Sequence, residues 1–268
     1  MMQLNSKNKQ YKRTIKLSEF VEYQSAFDKK IAKEEKSHGY SKTSSRASSP
    51  PSEEIEMKKS MFPKKNVDFC VNVDIGSWDE QMKELKDKIP PQLMCMTKYD
   101  ILKFSRVNVL GVNTPQIYLK VRGNWTGGHQ ENLSLRAINI NFGPSSTIWN
   151  AIAQPKDIEE FRRLVLEKYK LDIKKHEGLW FCDIDFCLAN KIPVITFNQR
   201  KGDLVLLGPT VLHWVRTLGL TTQSAWNFGS CDLYQLEQMN IRYTYNKEYN
   251  FVNIIPFLTT LTDFMLSA

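Results

Sequence analysis

A chain of 268 residues with 41% hydrophobic residues can bury a substantial core, as one large domain or two small ones. No apolar run approaches the ~20 residues of a membrane span, and the N-terminus lacks the apolar core of a secretory signal, so residence inside the cell is expected. Of the net charge of +8, residues 1–66 carry +7, with 15 Lys and Arg against 8 Asp and Glu. The remainder is nearly neutral, so the positive charge sits in the leading segment, which could favour nucleic acid or an acidic surface, though its interleaved acids favour a solvated tail.

Five cysteines, Cys70, Cys95, Cys182, Cys187 and Cys231, form no C-x-x-C pair. An odd and scattered set excludes a disulfide framework and a zinc knuckle, and reads as reduced thiols in core packing.

In chain order, residues 1–36 read as a basic helical segment, with Phe20, Phe27 and Ile31 as a partial apolar stripe over 14–36. Residues 37–66 turn rich in Ser, Pro and charge, the composition of a disordered linker. A folded domain is expected over 67–268. It opens with a strand at 69–75 and a helix capped by Ser77 and Glu80 that must end before Pro90-Pro91. Short strands follow at 115–122, 129–142, 146–152, 193–198, 203–207, 211–217 and 224–228. A helix at about 157–170 interrupts them, with a shorter one near 183–190. The last segment, Tyr249 to Leu266, has helical apolar spacing at Ile254, Phe257, Leu258, Leu261 and Met265, and should pack on the strands. Many short strands with one long insertion predict a mainly β protein: a double-stranded β-helix, or cupin-like jelly roll, with flanking helices.

One stretch, Val121 to Asn132, carries chemistry. In extended chain His129 and Glu131 project to the same side, offering an imidazole and a carboxylate together. These are two of the three ligands of a non-haem Fe(II) site, and His213, in another apolar strand-like run, is the natural third. The other two histidines sit in charged stretches, His38 by the linker and His176 among lysines, where solvation is the simpler reading. Trp214 and Trp226 read as packing. A dicarboxylate co-substrate would need a cation and hydroxyl donors; Lys120 lies nine residues before His129 and Thr126 three before, and Asn139 can point inward with Ala137 and Asn141 by strand alternation.

The residues around this pair resemble a known family. Tyr118-Leu119-Lys120-Val121, Gly123, Thr126, Gly128-His129-Gln130-Glu131-Asn132 and Asn139-Ile140-Asn141-Phe142-Gly143-Pro144 are similar to the JmjC domain of UTX-type histone lysine demethylases. So are Gln199 to Val205, Thr210 to Val215 and Ala225 to Gly229, and the likeness extends roughly over 14–260. The resemblance implies Fe(II) held by His129, Glu131 and His213. It implies 2-oxoglutarate held by Lys120, Thr126 and Asn139, O₂ as the other co-substrate, and Tyr118 lining the methyl-ammonium pocket. No catalytic residue is expected beyond the metal centre.

The implied reaction is removal of methyl groups from di- or trimethylated lysine-27 of histone H3 through a ferryl intermediate, releasing formaldehyde and succinate. The implied partners are the H3 tail or another methyl-lysine protein and a chromatin complex, in the nucleus and off the membrane; DNA contact is left open. Ala137 stands where the family has a serine, and Gln223 stands near a family asparagine. Trp125 and Gly127 replace an arginine and a proline, and no residues remain after 268 for the family's zinc domain. Two other readings stay open: a 2-oxoglutarate-dependent protein hydroxylase and a silent JmjC scaffold.

Overall fold

The computed structural model describes residues 2–4, 22, 70–71 and 79–267. The expected N-terminal helix, the linker and the Ser77 cap lie outside the described residues, apart from Glu22. After helix α1 (Asp79–Lys88), which ends before Pro90-Pro91 as expected, eight strands build two antiparallel sheets. They are β1 (Gln116–Lys120), β2 (Trp125–His129), β3 (Arg136–Pro144) and β4 (Thr147–Ile152), then β6 (Ile195–Gln199), β7 (Leu204–Leu207), β8 (Leu212–Thr217) and β9 (Thr221–Phe228). Helix α2 (Pro155–Tyr169), strand β5 (Trp180–Cys182) and helix α3 (Ile184–Ala189) form the insertion between β4 and β6. Helices α4 (Leu233–Glu248) and α5 (Phe257–Ser267) follow.

One sheet runs β2-β8-β4-β6. The other runs β1-β9-β3-β7, with Cys70–Val71 paired outside β1. Two facing sheets with the chain passing between them make the expected jelly roll. Strand alternation divides the side chains into layers. Ala137, Trp149, Val205, Leu207 and Val215 fill the space between the sheets. On the outer face of the first sheet, Leu212, Trp214 and Ile152 pack against Phe161, Trp180 and Phe186 of the insertion. On the outer face of the second, Ile138, Ile140, Trp226 and Phe228 meet Met94 and Cys95, with Leu85 and Ile89 alongside. Cys182 and Cys187 are buried too, and Cys231 is exposed, so three of the four cysteines whose side chains are described are packing residues.

Three expectations are corrected. The strand expected over 129–142 is two strands in different sheets. The chain turns at Asn132–Ser134, where Leu133 and Ser134 take left-handed φ values of 50° and 49°, and resumes at Arg136. Residues 125–128, which fall between two expected strands, are strand as well, continuing to His129. The C-terminal helix begins at Phe257 rather than Tyr249, and α4 precedes it. Of its expected stripe, Phe257 and Leu261 pack against Met239 and Ile255, while Leu258 and Met265 are exposed. Among the described residues no helix is long and apolar enough to cross a membrane.

Candidate metal centre

β2 and β8 are antiparallel neighbours, and their register sets His213 directly opposite His129. The two rings lie 4.3 Å apart. Glu131 falls two residues past the end of β2, but its backbone is still extended (φ −63°, ψ 152°), so it keeps to the same side as His129. Its Oε1 lies 3.9 Å from His129 Nε2 and 3.5 Å from His213 Nε2. One donor atom from each residue falls within 4.8 Å of the others, a set that can hold a metal ion.

The hydrogen bonds fit that use. His129 Nδ1 is 2.8 Å from the Gly127 carbonyl, and His213 Nδ1 is 3.3 Å from the Val211 carbonyl. A carbonyl only accepts, so each Nδ1 carries the proton and each Nε2 presents a lone pair to the shared space. Asn227 donates to Glu131 Oε2 at 2.9 Å, leaving Oε1 turned toward the imidazoles. Burial, then the neighbouring His129 and Lys120, hold His213 well below the ordinary histidine range, so it stays neutral as a ligand must. Trp149 stacks on His213 at 5.5 Å and 18°, fixing its ring plane. Two imidazoles and one carboxylate on one side of an open space are the donor set of a facial Fe(II) triad.

The close quarters explain two glycines. A Cβ on Gly127 would lie 2.1 Å from the Gly178 carbonyl oxygen, and one on Gly128 would lie 2.1 Å from the Trp180 ring. Gly127, where the resembling family has proline, therefore lets the 170s loop lie down on β2.

The residues expected to hold a co-substrate share this interior. Lys120 and Tyr118 alternate with Gln116 on one face of β1. Lys120 Nζ donates to Thr126 Oγ1 at 3.3 Å, and a bulge in β2 lets Thr126 pair with Val215 while His129 pairs with His213, so that both sit on the inner side. Burial pushes the Lys120 ammonium down to about 8, so a carboxylate brought beside it would offset a desolvation cost that the fold already bears. Tyr118 donates its hydroxyl to Gln116 Oε1 at 2.9 Å. Burial and the charge of Glu131 push that hydroxyl up to about 12, which keeps it a neutral donor. Asn139, half-buried on β3, accepts from Gln199 Nε2 at 3.0 Å. Ala137 faces the same interior among apolar neighbours, and Gln223 is fully buried, donating to Thr147 and Gln199. His176 is half-buried rather than solvated, and does not join the centre.

Sequence reasoning missed the supporting residues Asn227, Trp149, Gln199 and Gln130. Gln130 sits between two ligands and faces outward. Its Nε2 donates to the Thr210 carbonyl, just ahead of His213, and its Oε1 accepts from Arg162 of α2 at 2.8 Å and Arg242 of α4 at 3.4 Å. Glu177 accepts from the Gln130 amide at 2.8 Å and from Arg242. The one available signal was alternation itself: if His129 and Glu131 point in, Gln130 must point out, into something polar.

Residues 116–228 match the family described as JmjC domain, hydroxylase. The chain is 33% identical over 197 residues, 72% of its length, to human "Lysine-specific demethylase 6B", of which it covers 12%. It is 29% identical over 188 residues to "Lysine-specific demethylase jmjd-3.1" of Caenorhabditis elegans, 67% of this chain and 17% of that one. It thus spans less than a fifth of either relative.

Proposed function

Since the chain carries a JmjC domain similar to those lysine-specific demethylases, we propose that it is an Fe(II)- and 2-oxoglutarate-dependent lysine demethylase. The observation that carries this reading is the convergence of His129, Glu131 and His213 within 4.8 Å inside the jelly roll, each with its outer atoms already bonded. These three side chains would hold the iron. Bound there, Fe(II) supplies O₂ activation coupled to oxidation of 2-oxoglutarate to succinate and CO₂, which hydroxylates an N-methyl carbon that is then lost as formaldehyde.

The protein's own residues do the rest. Lys120 and Thr126, hydrogen-bonded to each other and with the Lys120 charge felt at His213, would bind the far carboxylate of 2-oxoglutarate. Asn139, half-buried on β3, would also donate to the co-substrate. Tyr118 would receive the methylated ammonium on its ring face, where the neutral phenol and the Glu131 charge suit a cation. The apolar layers on both outer faces keep water from the reacting atoms. In this proposal the substrate is di- or trimethylated lysine-27 of histone H3, and the place of action is the nucleus.

The test is a methylated peptide incubated with the protein, Fe(II), 2-oxoglutarate and O₂. We expect formaldehyde and succinate in step with the loss of methyl groups, all abolished in His129→Ala/Glu131→Ala while the fold is retained. Turnover undiminished in that variant would end the metal reading. A product that gains one oxygen and keeps it would favour the hydroxylase reading, which the family description also supports.

A further inference from the structure

We propose that Gln199 is a positioning residue for the co-substrate: it fixes which end of the Asn139 amide faces the pocket, and Trp149 in turn fixes Gln199. The proposal rests on the reading of Asn139 as a 2-oxoglutarate contact. An amide has a donor end and an acceptor end, and a carboxylate is served only by the donor end. Nothing in Asn139 itself selects between them.

The selection comes from two groups that cannot change roles. Trp149 Nε1–H is only a donor, and it lies 2.8 Å from Gln199 Oε1. The Asp203 carbonyl is only an acceptor, and it lies 3.2 Å from Gln199 Nε2. Reversing Gln199 would set Nε2 against the indole N–H and Oε1 against the carbonyl, so one orientation remains. In that orientation Nε2 also reaches the Asn139 backbone oxygen and its Oδ1, both at 3.0 Å. Oδ1 is thereby committed as an acceptor, and the Nδ2 donors are turned to the other side.

The relay is dry, which is why it can hold. Gln199 is 1% exposed, Trp149 4% and Thr147 0%. Thr147 donates to Gln199 Oε1 at 3.0 Å, and Gln223 Nε2 donates to the same oxygen at 2.9 Å. Gln223, which departs from the family pattern, is therefore part of the relay rather than of the pocket wall. The Trp149 ring that starts the relay also stacks on His213. One indole thus sets the plane of a metal ligand with its face and the polarity of a co-substrate contact with its N–H.

A double-mutant cycle in the full chain tests this, reading 2-oxoglutarate affinity with Co(II) in the metal site and Co(II) affinity separately. Gln199→Glu keeps an acceptor for Trp149 but puts an oxygen against Asn139 Oδ1, so Asn139 must turn over. We expect 2-oxoglutarate affinity to fall about tenfold or more, with Co(II) affinity within about twofold of the parent. In an Asn139→Ala background the same substitution should cost nothing further, because its effect passes through Asn139. Should Gln199→Glu fail to fold, Trp149→Phe takes its place in the cycle with a smaller loss of the same sign. An equal loss in both backgrounds, or no loss in the first, overturns the proposal. If Asn139→Ala alone leaves 2-oxoglutarate affinity intact, the assignment of Asn139 fails instead and the relay loses its purpose with it.

Discussion

His213 and Trp214 are neighbours in the chain and opposites in the fold. His213 faces Glu131, His129 and the Trp149 ring, within the field of Lys120; Trp214 faces a dry layer of Phe161, Trp180 and Phe186. Both are buried, at 2% and 0% exposure. Burial therefore does not distinguish the site from the scaffold. What distinguishes them is whether buried atoms owe their cost to hydrogen bonds aimed at one point or recover it as apolar contact. A stability measurement and a metal-binding measurement should separate the two regions cleanly.

The largest expected effect is on the polar side. His213→Ala should lower Co(II) affinity by at least about a hundredfold in a calorimetric titration, while the metal-free protein unfolds near the parent's temperature. Retained metal affinity would erase the distinction. Next comes the dry side: Trp214→Ala should cost about 3–5 kcal/mol in denaturant unfolding, from lost contact and the cavity left between α2 and β8. A loss of metal affinity with full stability there would invert the comparison.

A third experiment uses a buried carboxylate remote from the centre. Asp100 accepts backbone N–H bonds from Met96, Leu102 and Gly229, and burial, outweighing them, raises its acid to about 6 from 3.8. A raised carboxylate binds its proton more tightly in the folded state. Its stabilisation is full below about pH 4 and is lost as pH rises through about 6. Relative to Asp100→Asn, the parent should lose on the order of 2 kcal/mol across that window. A difference that does not vary with pH would show that the three N–H groups cancel burial, and one that grows in the parent's favour as pH rises would show that they outweigh it. The smallest effect belongs to Asn227→Ala, which frees Glu131 Oε2: metal affinity should drop about tenfold with little change in stability.

What the sequence made legible follows from period and residue type. Seven of the eight jelly-roll strands were readable, because Val, Ile, Trp and Thr recur in short runs between Gly, Pro and Asn; β2, with Gly127 and Gly128 inside it, was not. The metal set was readable because His129 and Glu131 are spaced for one face and few histidines compete for the third place. Less legible was anything fixed by pairing between distant strands. Gln116, Tyr118 and Lys120 alternate like a solvated face, and only their place between two sheets makes them interior. The turn at Asn132–Ser134 was hidden because Leu133, Leu135 and Ala137 keep the two-residue apolar period of a strand through it. Helix α4 was hidden because Leu233–Glu248 is rich in Gln, Asn and Tyr; much of what it buries is polar, including Gln235, Arg242 and Asn246. Gln199 and Trp149 have ordinary packing signatures in sequence, and their directional roles exist only once four strands meet.

The outward-facing Gln130 gives the bracing helices a share in chemistry they never touch. Its amide ties the peptide carrying two ligands to α2, to α4 and to the approach of the third ligand. A push on either helix is therefore not absorbed at the periphery; it reaches the one place where tenths of an ångström decide whether a cation is gripped. Anything that moved α4 would move, through Arg242, the peptide between His129 and Glu131.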